Sequence, residues 1–514
     1  MIAIIRCGAL VLGLALSASC FASSAAAAPP CTTPPAGGGE WPSYGHDAAN
    51  TRTQPQEAGF GPTAVANLTP KWAFSTTSTG DGTGFNTTPV VYDGCAFIGS
   101  FGGVAYALDA QTGRVVWQRK LDAPNPGSGG VIVGAAAVDG KAVVFLVDQF
   151  SAPYAIALNR STGAVVWKSA PFAPPLTSSA VQAGSYTNSS ALLANGFIVA
   201  GYSPPEGNPT ATGGFSLINA KTGKVVRTTP TIPPAAQAEG YAGGGMWSSP
   251  AYDPATKYVY WGAGNPNSKT KQYRTTDAIL KIDVNPSRPT FGQIVASYEG
   301  NVDQYTTTLQ ELSHSPACEA SDNPALPYPL DDPVCGQLDL DFGAAANLFT
   351  TGNGTKVVGD LQKSGVYHVA NANTMEPVWT ALVGPSCFAC NAASTAFDGS
   401  SIYGVATPGG TMFSLDRSTG ATQWLSPVGD GTHYQSISAA DGVAWTVDGD
   451  SNLDGFDAAS GAPLVRRPLS VDAGAPVTNL TSSGIAIAEH QLFVAAGGAS
   501  YASAPGYVIA YRGG

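Results

Sequence analysis

One turn recurs along this chain and limits what it can fold into. It reads Ala-Leu-Asp109-Ala-Gln-Thr112-Gly113-Arg-Val-Val-Trp117. It returns as Ala-Leu-Asn159-Arg-Ser-Thr162-Gly163-Ala-Val-Val-Trp167 and as Leu-Ile-Asn219-Ala-Lys-Thr222-Gly223-Lys-Val-Val-Arg227. Later copies run through Asp416…Thr419-Gly420…Trp424 and Asp457…Ser460-Gly461, with looser versions at Asp283 and Asn371…Thr374…Trp379. An apolar pair ends a strand, the Asp or Asn side chain caps the turn, and glycine takes a positive φ. The next strand then ends on a tryptophan suited to packing between sheets. Such a unit cannot bury both faces alone, so it must stack on copies of itself. Counting from Trp72, which stands before the first turn, to the last strand, Tyr507–Tyr511, gives eight intervals. The prediction is an all-β, eight-bladed propeller, in which the strand at Trp72 pairs beside the final strand and closes the ring.

Composition agrees. Charged residues make up 11% of the 514 residues, with 62 Gly and 39 Pro, as short strands and tight turns require. The net charge of −11, with no Lys/Arg cluster, argues against nucleic-acid binding. Residues 1–28 read as a signal peptide: Arg6, an apolar run from Ala9 to Leu16, and small residues from Ala25 to Ala28. That run is too short to span a bilayer, and no later stretch is apolar enough. Residues 29–514 are then expected to form a single propeller domain, secreted to the periplasm or outside the cell. Six cysteines remain in that part, which favours disulfides. The sequence-local pairs are Cys318–Cys335 and Cys387–Cys390, although spacing does not fix the connectivity.

The stretch Gly243-Gly-Gly-Met-Trp247-Ser-Ser-Pro250, followed by Tyr258-Val-Tyr-Trp-Gly-Ala-Gly-Asn265-Pro, resembles the PQQ-dependent quinoprotein alcohol dehydrogenase family. Trp41-Pro-Ser-Tyr-Gly-His-Asp-Ala-Ala-Asn50-Thr-Arg52 resembles the N-terminal segment of the same family. Together with Asp341-Phe-Gly it points most closely to the polyvinyl-alcohol dehydrogenase branch. The resemblance implies pyrroloquinoline quinone (PQQ) and a calcium ion as cofactors. Trp247 would form the floor under the quinone, and Asn265 would ligate the ion. Glu206, in Tyr202-Ser-Pro-Pro-Glu206, matches the segment carrying a calcium-ligating Glu. Asp341 matches the family's base and would also reach the ion, with Asp339 as its rival. Lys363, in Gly359-Asp-Leu-Gln-Lys363, would hold the quinone's oxygens. The chemistry fits: a planar quinone stacks on an aromatic face, calcium takes carboxylate and amide oxygens, and an alcohol losing hydride needs a base for its proton. The implied substrate is an alcohol or a polymeric alcohol.

The sequence also departs from the family pattern. No two cysteines are neighbours, so the adjacent-cysteine disulfide over the quinone is missing. No Arg stands between Ala123 and Gly140, where one is expected near the quinone carboxylates. Cys387-Phe-Ala-Cys390 is followed by Asn391 rather than His, so it attaches no haem, and electrons must pass to a separate acceptor such as a cytochrome c. The rival expectation is a non-catalytic propeller scaffold resembling the outer-membrane assembly factor with the same repeat.

Overall fold

The repeated turn explains both the blade and the ring. Asp109 Oδ1 accepts hydrogen bonds from the backbone N–H of Gln111 and Thr112, at 3.1 and 3.0 Å, and from Thr112 Oγ1 at 2.9 Å. Gly113 then turns the chain at φ 71°, a conformation that costs glycine nothing. Each tryptophan docks on the next blade's turn. Trp72, Trp117, Trp167, Trp379 and Trp424 donate from Nε1 to the carbonyls of Ala110, Arg160, Ala220, Arg417 and Ala458. Their rings cover Gly113, Gly163, Gly223, Gly420 and Gly461, where any Cβ would collide with the indole. One blade's outermost strand therefore recognises the next blade's turn. Where the repeat loosens, Arg227 replaces the tryptophan and lies against Gly292.

The computed structural model describes residues 29–121, 132, 134–147, 152–176, 185–205, 208–268, 271–301, 340–384, 391–407, 410–429, 435–478, 484–497 and 504–513. It forms eight four-stranded antiparallel sheets. We number them as blades 1 to 8, spanning residues 90–120, 137–168, 192–230, 251–299, 347–382, 396–427, 438–468 and 485–512. Blade 8 takes its fourth strand, Thr69–Ser75, from the start of the fold. That strand pairs with Tyr507–Arg512, Trp72 opposite Ala510, so the ring closes where the sequence predicts. The segments at Val90, Ala251 and Ala396 are the first strands of blades 1, 4 and 6. Only short helices interrupt the described sheets, such as Pro234–Ala238.

Residues 41–54 run across the ring and bond to the first strands of seven blades, counting blade 8 through a side chain. Trp41 exchanges backbone bonds with Val91, and Pro42 O accepts from Val138 N. Ala48 O, Ala49 O, Thr51 O and Arg52 O accept from Tyr252, Leu348, Phe397 and Ala439 in blades 4, 5, 6 and 7. Gln54 Nε2 reaches Ile487 O in blade 8 at 3.1 Å. Cys31 is bonded to Cys95 across 64 residues and ties the chain's start to blade 1. A crosslink closing a loop of that length restricts the unfolded chain by roughly 4 kcal/mol in the entropy model. Cys318, Cys335, Cys387 and Cys390 lie outside the described residues, so the two local pairings do too.

Candidate functional site

Hairpins decide which loops meet. The first two strands of a blade run out and back, so residues just before the first strand and just after the second share one end of the ring. Trp247 precedes Ala251–Asp253 and Asn265 follows Tyr258–Gly262 in blade 4. Backbone bonds from Gly244 N to Asn265 O and from Gly264 N to Gly245 O, both 2.8 Å, lock the two segments together. Blade 5 repeats the arrangement. Asp341 precedes Asn347–Thr350, Lys363 follows Lys356–Leu361, and Lys363 N donates to Asp341 O at 3.0 Å.

The two pairs join across the blade boundary. Asn265 N donates to Asp341 Oδ1. Lys363 Nζ lies 2.9 Å from Asp341 Oδ2, with both residues buried. The same ammonium sits 5.3 Å from the centroid of the half-exposed Trp247 ring. The indole lies against Gly343, where a Cβ would collide with it, so Asp341-Phe-Gly343 needs its glycine to seat the ring. Asn265 Nδ2 is buried without a hydrogen-bond partner. Trp247, Asn265, Asp341 and Lys363 thus form one cluster, in which Lys363 is the buried ion-pair partner of Asp341. Glu206 and Asp339 lie outside the described residues. In sequence, position 206 comes four residues after the second strand of blade 3, Phe197–Tyr202.

Asn391, excluded from a haem motif by its identity, is a further member. Its Nδ2 donates to Lys363 O at 3.2 Å, and it exchanges two bonds with Thr407, N to Oγ1 at 3.0 Å and Thr407 N to Oδ1 at 3.1 Å. It holds φ 51°, a left-handed conformation that asparagine tolerates. The sequence signal available was an Asn a few residues before a first strand.

Behind Asp341 lies a polar layer. His368 accepts at Nδ1 from Tyr298 Oη at 2.9 Å, and its Nε2 donates to Gln362 Oε1 at 3.1 Å, as one neutral tautomer requires. Burial pushes its pKa down to about 3. Opposite it in the ladder, Asp360 is wholly buried, and no other side chain hydrogen-bonds its carboxyl oxygens. Burial raises its pKa well above the carboxylate range, and a neutral His368 offers no charge to counter that. The sign follows from linkage. A folded-state pKa above the unfolded value contributes stability that is fully present below about pH 4 and is lost as pH rises through the folded value. Asp360→Asn, an isostere of the protonated acid, should match the parent in urea unfolding at pH 4 and exceed it at pH 8. Equal midpoints at both pH values would show that Asp360 is ionised at no cost.

Among the described residues no group of three or more His, Cys, Asp or Glu could hold a metal. Asp341 and Asn265 nonetheless place a carboxylate and an amide side by side, the oxygen donors a hard cation takes. The indole face beside Lys363 suits a flat, anionic ring.

A family model described as the outer membrane protein assembly factor BamB matches residues 64–281. A polyvinylalcohol dehydrogenase of a Pseudomonas species is 26% identical over 368 residues, 67% of this chain and 51% of that protein. The dehydrogenase subunit of a quinone alcohol dehydrogenase from Gluconacetobacter polyoxogenes is 27% identical over 338 residues, 59% of this chain and 44% of its own length. The chain is a relative of the quinoprotein alcohol dehydrogenases. It spans about half the length of these curated relatives. Among solved structures, quinohemoprotein alcohol dehydrogenase ADHIIG from Pseudomonas putida superposes with a TM-score of 0.69 at 16% identity, covering 92% of this chain and 80% of that one. BamB from Moraxella catarrhalis gives 0.56 at 14%, covering 87% and 99%. Such likenesses show the shared fold alone.

Proposed function

We propose that this protein oxidises an alcohol with PQQ and a calcium ion and passes the electrons to a separate acceptor, such as a cytochrome c. The observation that carries the reading is the cluster of Trp247, Asn265, Asp341 and Lys363 at one end of two adjacent blades. Trp247 would seat the quinone and Lys363 would hold its oxygens. Asn265 and Asp341 would hold the ion, with Glu206 from blade 3. When bound, the quinone supplies the hydride acceptor and the ion polarises it. Asp341 takes the substrate's hydroxyl proton on its carboxylate, which Asn265 N and Lys363 Nζ fix in orientation. The substrate class is an alcohol, with the secondary alcohols of poly(vinyl alcohol) as the finer proposal. The place of action is the periplasm or the exterior.

A second reading is a binding scaffold, favoured by the match of residues 64–281 to an assembly-factor model. Absorbance titration with PQQ and Ca²⁺ separates the two. An enzyme takes up PQQ with a spectral change, and Trp247→Ala weakens that uptake roughly tenfold, the worth of a lost aromatic stack. No spectral change at saturating PQQ would leave the scaffold.

A further inference from the structure

Beside the candidate site, blades 2 and 3 border an open cleft of about 390 Å³, within the roughly 300–1,000 Å³ of small-molecule pockets. One wall is the chain leaving blade 2, with Pro174 and Leu176. The other is formed by Tyr202 at the end of the second strand of blade 3, by the loop through Ala211, by Pro230, and by Gln237 on the helix Pro234–Ala238. The cleft is close to the quinone floor in the chain's own wiring, because Tyr202 O accepts from the N–H of Met246, the residue before Trp247.

Among the described residues its lining is uncharged, with four apolar residues and six polar ones. Four of the polar side chains are bonded within the protein. Thr210 Oγ1 donates to Asn208 Oδ1 at 2.9 Å, and Thr212 Oγ1 to Gly213 O at 3.1 Å. Thr228 Oγ1 meets Ser216 Oγ at 2.7 Å, and Gln237 Nε2 donates to Ile232 O at 2.6 Å. Tyr202 Oη and Ser185 Oγ are the two left over, both buried and without a hydrogen-bond partner. An unpaired buried hydroxyl destabilises a folded chain, and native proteins rarely leave one without a water or ligand to satisfy it. The room for the phenol is built in: a Cβ on Gly214 would strike Tyr202 Oη. Burial pushes the phenol's pKa up, so it stays a donor.

We propose that this cleft is a second binding subsite for an uncharged aliphatic chain bearing hydroxyl or keto oxygens, with Tyr202 and Ser185 as its hydrogen-bonding pair. The uncharged lining among the described residues disfavours carboxylates and phosphates, and Pro174, Leu176, Ala211 and Pro230 take the hydrocarbon. The inference rests on the alcohol-oxidising reading for its substrate class. There it gives a long or polymeric alcohol a second anchorage away from the reacting carbon, where remote contacts add binding energy.

The test is thermal unfolding of the full chain, without PQQ, titrated with pentane-2,4-diol and, as the charged control, glutarate. The diol should raise the midpoint of the parent protein and glutarate should not. Without diol, Tyr202→Phe should unfold at the same or a higher temperature, because it deletes an orphaned hydroxyl. With diol it should need about tenfold more ligand for the same rise, the cost of one lost hydrogen bond. Ala211→Trp, which fills the cleft, should abolish the rise. No diol-dependent rise in the parent, or an equal rise in both variants, overturns the subsite. A chain that responds to diol through Tyr202 but takes up no PQQ would keep the subsite and defeat the oxidase reading. PQQ uptake with an unchanged diol response in the variants would do the reverse.

Discussion

Asp341→Asn should abolish PQQ-dependent alcohol oxidation while PQQ uptake stays largely intact. The substitution removes the carboxylate that links Asn265 and Lys363 at the blade 4–blade 5 junction, and it keeps an oxygen where Asn265 N donates. A positioned base contributes roughly 10²–10⁴ in rate, so turnover should fall by at least about a hundredfold. The same change leaves the buried Lys363 ammonium without its carboxylate. Breaking a buried pair costs about 3–5 kcal/mol, so the variant should also unfold at lower denaturant. The two effects separate by measuring rate at saturating PQQ well below the unfolding midpoint. If oxidation survives at full rate, the proton goes elsewhere, and Asp339→Asn becomes the variant to measure.

The ring was legible because its information is local. Asp109, Thr112 and Gly113 write a turn within five residues, and Trp117 then meets the next copy of the same turn. The repetition alone predicts stacking and closure. The meeting of the four candidate side chains was legible for a related reason. Trp247 and Asn265, like Asp341 and Lys363, flank single hairpins, so their meeting depends on 18 and 22 residues of chain rather than on the whole ring. The contact between the two pairs depends only on adjacent blades. What the sequence did not show is contact without a local signature. Cys31–Cys95, the Asn391–Thr407 exchange and the buried Asp360 each come from segments that read as ordinary loop or strand. The path of residues 41–54 is the extreme case. Trp41 to Arg52 matched a family segment, but nothing in the motif says that its partners lie as much as 392 residues away.

That segment carries the second large effect. Arg52 is fully buried, and among the described residues no carboxylate pairs with it. Its Nε donates to Ile437 O and its Nη1 to Tyr44 O, both at 2.7 Å, while Nη2 reaches Ser438 Oγ at 3.1 Å. The guanidinium lies 4.7 Å from the Tyr44 ring centroid. Arg52→Met keeps most of the volume and removes a buried charge, which favours the variant. It also breaks three bonds to a charged donor, each worth about 1.5–3 kcal/mol, and leaves buried acceptors unpaired. The losses outweigh the relief, so unfolding in guanidinium should show a deficit of roughly 3–5 kcal/mol. Arg52→Lys should recover little, because one ammonium cannot reach three acceptors set around a planar fork. The effect should extend to the candidate site. Two residues earlier, Asn50 Nδ2 donates to Pro250 O at 2.9 Å and to Ala346 O at 3.2 Å, the carbonyls that lead from Trp247 and Asp341 into their first strands. If the crossing segment holds blades 4 and 5 in register, Asn50→Ala should weaken PQQ uptake although it touches none of the four clustered side chains. A variant with a lowered unfolding midpoint but unchanged uptake would confine the segment to stability.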